Sequence, residues 1–318
     1  MRSAELDYHL PPELIAQTPV EPRDSARLLI YRRTAGTVEH AHVHDLPSLL
    51  QGELVVVNDT RVLPARLRLR RASGGAVEVL LLEHAGGTRW LALARPSRRL
   101  HQGETLVPAM AGGAVTLLEA RGDGRWLVAL EGAPAGEMPL PPYITTPLER
   151  AERYQTVYAA VDGSAAAPTA GLHFTPELLA RLDTARVTLH VGLDTFRPLT
   201  VESLEDLQLH GERYEVADAE WRRIAGAGRV LAVGTTTARA LETIAAGGRL
   251  AGRTDLFLRP GHHFLRVDAL LTNFHLPRST LLALVMAFAG VEEVRALYRI
   301  AVEQEYRFYS FGDAMLLL

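Results

Sequence analysis

The run Val62-Leu63-Pro64-Ala65-Arg66-Leu67-Arg68-Leu69-Arg70 decides how this chain divides. Leu63, Ala65, Leu67 and Leu69 fall on one face and Arg66, Arg68 and Arg70 on the other, the period of two that marks a half-buried strand. Residues 76–82, 90–94, 104–107, 114–120 and 125–131 repeat this short texture between glycine-rich turns. Six such strands at this spacing predict a small barrel or sandwich.

On both sides of that unit the texture changes. After Pro139-Leu140-Pro141-Pro142-Tyr143, apolar strands at 187–193, 229–233, 254–258 and 269–271 alternate with helices at 176–182, 218–225, 236–246, 280–289 and 291–305. Near-continuous apolar strands between helices are the mark of an α/β sheet buried on both faces. Strands at 27–31 and 53–57 around a short helix at 46–50 add to it. The expectation is a discontinuous α/β domain, residues 1–61 and 139–318, carrying an inserted small β-barrel domain, residues 62–138. A length of 318 residues with 47% hydrophobic content spread along it supports a core of that size.

Composition removes whole chemistries. All 34 basic side chains are arginine, and neither lysine nor cysteine occurs. Without lysine there is no Schiff base and no phosphate-loop lysine. Without cysteine there is no thiolate nucleophile, no disulfide framework and no thiolate-held iron–sulfur cluster. A net charge of -3 gives no global pull toward nucleic acid, so any RNA surface is local. Residues 1–7 lack an apolar signal core and the apolar run 281–289 is too short to span a bilayer, so a cytoplasmic location without membrane contact is the default expectation.

The block Gly163-Ser164-Ala165-Ala166-Ala167-Pro168-Thr169-Ala170-Gly171-Leu172-His173-Phe174-Thr175 is small and polar. It reads either as a loop shaped around a ligand, with His173 able to move a proton, or as a tight connection capped by Thr175. Three polar clusters follow strand ends: Gly192-Leu193-Asp194-Thr195-Phe196, Gly234-Thr235-Thr236-Thr237-Ala238-Arg239 and Thr272-Asn273-Phe274-His275. Ligands of open α/β sheets bind outside the carboxyl ends of strands, so the three turns can line one crevice. Gly234 to Thr237 offers either an anion site or a helix cap, and its spacing is not that of a dinucleotide fingerprint. Asn273 and His275 are costly between apolar elements unless paired with each other or with a ligand.

Other clusters stay open between two readings. His40-Ala41-His42-Val43-His44 is a metal site or an exposed edge strand. His210 and Glu212 are a base and acid of one loop site or a surface pair. Tyr306-Arg307-Phe308-Tyr309-Ser310-Phe311-Gly312-Asp313 stacks on a base or packs the terminus. His262 and His263, after Pro260-Gly261, read as a turn.

Taken in order, Glu21-Pro22-Arg23-Asp24, Val57-Asn58-Asp59-Thr60-Arg61-Val62-Leu63-Pro64-Ala65-Arg66, Tyr154-Gln155-Thr156-Val157-Tyr158, the 163–175 block, His190-Val191-Gly192, Val233-Gly234-Thr235-Thr236, Thr272-Asn273-Phe274-His275-Leu276-Pro277 and residues 306–313 closely resemble the S-adenosylmethionine:tRNA ribosyltransferase-isomerase family of queuosine biosynthesis. The resemblance covers nearly the whole chain and is weakest in the β insertion. Asp194 stands where the family pattern leads one to expect Gly, and Leu207 where it leads one to expect a histidine. The resemblance implies the same α/β fold with an inserted barrel. It also implies transfer of the ribosyl part of S-adenosylmethionine, a consumed substrate and not a cofactor, to 7-aminomethyl-7-deazaguanine at the wobble position of tRNA. Isomerisation to an epoxycyclopentane follows, adenine and methionine leave, and no metal is implied. The sulfonium acidifies the adjacent 5′ carbon, so the protein must supply a base, an acid for adenine and a site that excludes water.

On this resemblance the candidates for proton transfer are His173, His190, His210, Glu212, His275 and Asp313, with base and acid unranked. Substrate contacts fall on Arg23, Asp24, Asn58, Asp59, Arg61, Thr169, Gly171, Thr235, Thr236, Asn273 and Arg307. Arg66, Arg68, Arg70, Arg71, Arg95, Arg98 and Arg99 crowd into the β unit of an otherwise slightly acidic chain and are expected to hold tRNA phosphates, or else simply to solvate the strands. Two other classes stand beside this one. A metal-dependent hydrolase would take ligands from His40, His42, His44 or His190 with Asp194 and Asp313, and a non-catalytic RNA-binding module would use the arginine-rich unit alone.

Overall fold

A computed structural model describes residues 1–109, 112–192, 199, 201–207, 209 and 211–318. The strands, in chain order, are β1 (Arg27–Arg32), β2 (Thr37–His42), β3 (Leu54–Asn58), β4 (Thr60–Val62), β5 (Arg66–Arg70), β6 (Ala76–His84), β7 (Arg89–Arg95), β8 (Thr105–Pro108), β9 (Val115–Gly122), β10 (Arg125–Leu130) and β11 (Val161–Ser164). They continue with β12 (Thr184–Leu189), β13 (Glu212–Glu215), β14 (Val230–Val233), β15 (Ala251–Thr254), β16 (Ala269–Asn273) and β17 (Ala314–Leu317). The helices are α1 (Leu46–Leu49), α2 (Pro176–Leu179), α3 (Asp218–Gly226), α4 (Thr235–Ala245), α5 (Thr280–Ala289) and α6 (Val291–Glu303).

Two compact units result. One holds Met1–Thr60, Pro142–Ala160 and Ala167–Leu318, and the other Arg61–Pro141 with Val161–Ala166. The boundaries read from the sequence, 62 and 138, leave out that return of residues 161–166, which brings β11 beside β4.

The first unit is a nine-stranded sheet in the order β15-β13-β12-β3-β14-β16-β17-β1-β2. Strands β12, β3, β14 and β16 run parallel, so their carboxyl ends share one edge. Every residue of β3, β14, β16 and β17 is buried, as expected for strands covered on both faces. Alternate residues of each strand, Val55 and Val57, Leu231 and Val233, Leu28 and Ile30, pack on Phe174 and Leu178 in one core. Helix α5, apolar all round, is buried along most of its length. Strand β17 is not anticipated by sequence: it enters antiparallel to β16 and parallel to β1, which only the tertiary arrangement makes adjacent. The strand expected at 254–258 lies instead at Ala251–Thr254. Arg239 takes the carbonyls of Thr254 and Leu256, and so holds the chain out of the ladder beyond Thr254.

In the second unit β10-β7-β6-β5-β8-β9 close into a six-stranded barrel. Leu67 and Leu69 of β5 are buried while Arg68 and Arg70 are exposed, the alternation read from the sequence. Two glycines permit its tightest crossings, since a Cβ at Gly113 would stand 1.6 Å from the carbonyl oxygen of Glu131 and one at Gly136 would stand 2.4 Å from that of Arg66.

Candidate active site

The shared edge of the parallel strands collects the polar clusters. Ala167 to Ala170, Val191, Gly234, Thr235, Thr236, Thr272, Asn273, His275 and Leu281 line one crevice. Two of the three expected turns, after β14 and β16, therefore meet there. The third, residues 193–196, lies outside the described residues together with His210. In the 163–175 block, Thr169–His173 forms a 3-10 turn and Thr175 caps α2, accepting from Leu178 N at 3.1 Å, so its second half is the capped connection, while residues 167–170 line the crevice. Gly171 sits where a Cβ would fall 1.9 Å from Tyr158 Oη, which makes the turn's approach to that tyrosine glycine-specific.

Helix α4 starts at Gly234 with φ 90° and no side-chain cap. None of its threonines caps it: Thr237 Oγ1 donates to Val233 O and Thr236 Oγ1 accepts from Asn58 Nδ2 at 3.3 Å. The first N–H groups of the helix, which have no intrahelical partner, stand at Thr235 and Thr236 on the wall of the crevice.

His173 and His275 are both buried, at 4% and 7% exposure. Asn273 Nδ2 lies 3.1 Å from His173 Nε2, and Thr272 Oγ1 lies 2.7 Å from His275 Nε2. The backbone of His275 is clamped from both sides, its N–H donating to Tyr298 Oη and its carbonyl accepting from Tyr8 Oη. Burial pushes the His173 imidazolium down to about 4, helped by the charges of Arg307 and Arg23, and pushes that of His275 down to about 3. Both rings are neutral at physiological pH. Asn273 Oδ1 is sealed from solvent without a partner, an acceptor held beside the crevice.

The structure gives other candidates a different place. Asn58 is a pin between strand ends: it donates to Leu189 O and accepts from Leu189 N and Thr60 N. Asp59 accepts from Thr188 Oγ1, and burial raises its carboxyl. His190 Nδ1 lies 2.8 Å from Thr60 Oγ1. The carboxylate of Glu212 takes Gly192 N–H and the buried guanidinium of Arg239, and it does not line the crevice. Asp313 is likewise buried, each oxygen on a backbone N–H, from Arg27 and Arg307, with burial raising its carboxyl. Arg307 reaches Thr18 O, Asp24 accepts from Thr175 Oγ1, and Arg61 faces Asp162.

Of the three imidazoles of residues 40–44, His40 parts from the other two, and His42 and His44 stack on each other. Strand β2 is the sheet's edge, as one reading had it, and His40 bonds Tyr306 Oη. Among the described residues, His42, His44 and Asp45 form a group with ligand atoms within 4.8 Å of one another, while Asp313 and His190 stand elsewhere with partners of their own. Among the described residues the ligand set of a hydrolase is therefore not assembled as the sequence allowed, and Asp194 lies outside them. His262 pairs with buried Glu242, which also takes three backbone N–H groups, so the pair of histidines is a turn.

A model of queuosine biosynthesis proteins matches residues 3–317. The chain belongs to the queuosine biosynthesis protein family. Curated relatives of this family protein include the S-adenosylmethionine:tRNA ribosyltransferase-isomerase of Rubrobacter xylanophilus, 52% identical over 100% of this chain and 98% of its own length. That of Moorella thermoacetica is 50% identical over the full length of both chains. A crystal structure of S-adenosylmethionine tRNA ribosyltransferase from Thermotoga maritima, 39% identical, aligns with a TM-score of 0.57 over 99% of this chain and all of its own.

A second cleft, beside His173, is lined by Pro19, Val20, Arg23, Arg153, Ser310 and Gly312 among others. Ser310 carries a signal in the sequence only as part of the 306–313 cluster, and Arg153 carries none. Arg153 stands one residue before the motif at Tyr154, and a buried arginine looks like any other until its neighbours are known. In the barrel, Arg68 pairs with Glu78 and Glu137, and Arg71 with Glu104, while Arg66 lies 3.9 Å from Glu78 and donates to Leu140 O. Arg70, Arg95, Arg98 and Arg99 are exposed and, among the described residues, carry no carboxylate partner.

Proposed function

We propose that this chain moves the ribosyl part of S-adenosylmethionine onto 7-aminomethyl-7-deazaguanine at the tRNA wobble position and isomerises it, giving epoxyqueuosine-tRNA, adenine and methionine. The observation that carries the reading is the full-length match to the family together with a crevice at the carboxyl edge of the sheet that holds Thr235, Thr236, Asn273 and His275. The uncapped start of α4 suits an anionic group of the substrate. Burial leaves the His275 ring neutral, with a lone pair to offer but a lowered basicity, and Thr272 and the two tyrosine clamps fix its ring and backbone. In this reading Glu212, Asp313 and Asn58 hold the frame and do not move protons. A cytoplasmic setting goes with a tRNA substrate.

The direct test is incubation with S-adenosylmethionine and tRNA bearing the deazaguanine precursor, followed by nucleoside mass analysis. One adenine and one methionine per modified nucleoside are expected. A precursor left unchanged while tRNA binds would point to the non-catalytic reading. Neither metal nor cofactor belongs to the proposal, so turnover should persist after chelation and dialysis. Loss of turnover restored by one divalent ion would overturn that part, with His42, His44 and Asp45 the first place to look.

A further inference from the structure

The hydrogen-bond network around Asn273 decides which nitrogen of His173 carries its proton. Asn273 Nδ2 lies 3.1 Å from His173 Nε2 and 3.2 Å from the carbonyl oxygen of Tyr309. A carbonyl can only accept, so the amide must present its nitrogen to Tyr309. Turning the amide over would set Oδ1 against that carbonyl with no proton between them. It would also send both amide hydrogens to a buried position where Oδ1 now finds no partner. The Tyr309 carbonyl is itself held, taking Gly312 N–H at 3.0 Å from a residue whose φ of 71° is rare for a non-glycine. The two amide hydrogens of Asn273 thus go to Tyr309 O and to His173 Nε2, which must offer its lone pair. In a neutral imidazole the proton is then on Nδ1.

Nδ1 has no acceptor among the described residues and is not sealed from solvent, so it opens into the cleft that His173 lines. That cleft has room for about one water, roughly 10 Å³. Its other polar groups are donors or already engaged: Arg23 donates to Gln155 O and Glu152 O, Arg153 donates to Val20 O, and Ser310 Oγ is paired with Tyr143 Oη. The guanidinium of Arg307 adds a third positive charge near the ring.

We infer that His173 serves as a fixed, neutral hydrogen-bond donor through Nδ1 and is neither the general base nor the general acid, and that Asn273 is the positioning residue that sets this tautomer. The chemistry follows from proton counting. A base would need a free lone pair, and the one lone pair of this ring is taken by Asn273. An acid would leave an imidazolate, because the Asn273 amide has no proton to return to Nε2. What remains is donation of a hydrogen bond to an acceptor that gains electron density as a bond breaks. A cleft of that size admits no purine ring, so in the ribosyl transfer proposed above the donation reaches a ring nitrogen of the departing purine through one water. This assignment of the acceptor rests on that reading, whereas the tautomer does not.

The tautomer is tested on the whole protein labelled with 15N-histidine, with the ring nitrogens of His173 assigned by correlation to its backbone. The expected spectrum has a protonated, pyrrole-type Nδ1 and a pyridine-type Nε2, unchanged between pH 8 and pH 6. A proton on Nε2, or on both nitrogens in that range, would refute the inference whether or not the protein turns over. The catalytic half is tested by two substitutions. His173→Asn retains a donor at the position of Nδ1, and His173→Gln retains one at the position of Nε2. His173→Asn should keep at least tenfold more kcat than His173→Gln at similar KM. Equal loss in both would overturn the donor role, as proton transfer by the ring predicts. A wild-type protein without turnover would instead sink the proposed reaction and leave the tautomer standing.

Discussion

Single residues of similar appearance in the sequence have opposite duties in the fold. Asn58 and Asn273 both follow buried strand residues, yet Asn58 satisfies the backbone of Leu189 and Asn273 keeps an unpaired acceptor beside the crevice. Alanine at position 58 would strand a buried N–H and C=O, so Asn58→Ala should lower stability by about 1–3 kcal/mol, read in a urea titration. Activity per folded molecule should change little. His275→Ala should do the reverse, with a folded protein whose turnover falls about a hundred- to ten-thousand-fold, the usual worth of a general acid–base group. Near-normal turnover in that variant would make His275 a packing residue. The sequence flagged Asn273 because a buried polar group demands a partner and Asn58 only through its motif, and which one finds a partner inside the protein is settled by neighbours up to 178 positions away.

At the scale of elements, the 169–173 turn depends on a missing side chain. A methyl group at Gly171 would overlap Tyr158 Oη, which is buried and without a partner, so Gly171→Ala should cost about 1–3 kcal/mol and displace His173. Thermal unfolding together with the turnover assay would register both effects. An unshifted melting point would show that Tyr158 yields freely. For the barrel, alternation along β5 told in advance which residues face outward, but could not tell that Glu78, Glu104 and Glu137 would come to Arg68 and Arg71 from β6, from the turn before β8 and from the chain after β10. We propose that phosphate binding by this unit falls to Arg70, Arg95, Arg98 and Arg99, which are exposed and not drawn to these carboxylates. Replacing these four by Gln should weaken tRNA binding and flatten its log–log salt dependence by about 0.7 to 0.9 per lost contact. The same change at Arg68 and Arg71 should leave the slope nearly as it was. A slope that ignores the first set would move the RNA surface out of the barrel.

Over the whole molecule, two buried neutral histidines impose an acid limit. Unfolded, each imidazole takes a proton near pH 6.5, while in the fold His173 does so at about 4 and His275 at about 3. Below pH 6.5 the unfolded chain binds more protons than the native one, so stability falls with pH, by about 1.4 kcal/mol per unit for each histidine, until the folded values are reached. Urea midpoints between pH 7 and pH 5 should show this slope, and His275→Gln should roughly halve it. A second global constraint is the Arg239–Glu212 pair, buried between α4 and β13. Arg239→Ala leaves a buried carboxylate without its cation and should cost about 3–5 kcal/mol in chemical denaturation, whereas a surface pair such as Arg222–Asp218 should cost no more than about 1. By itself the sequence determined the α/β sheet, the six barrel strands and the crevice turns after β14 and β16, because periodicity and turn chemistry are local and each segment carries its own signal. It also excluded lysine and cysteine chemistry outright, since composition survives any folding. Only the tertiary structure decided that β17 enters the sheet, that residues 161–166 return to the barrel unit, that Glu212 and Asp313 hold backbone and guanidinium groups, and that Asn273 fixes the proton of His173. Each of these depends on partners far apart in the chain, and a hydrogen bond between residues 100 positions apart leaves no periodic trace in either segment.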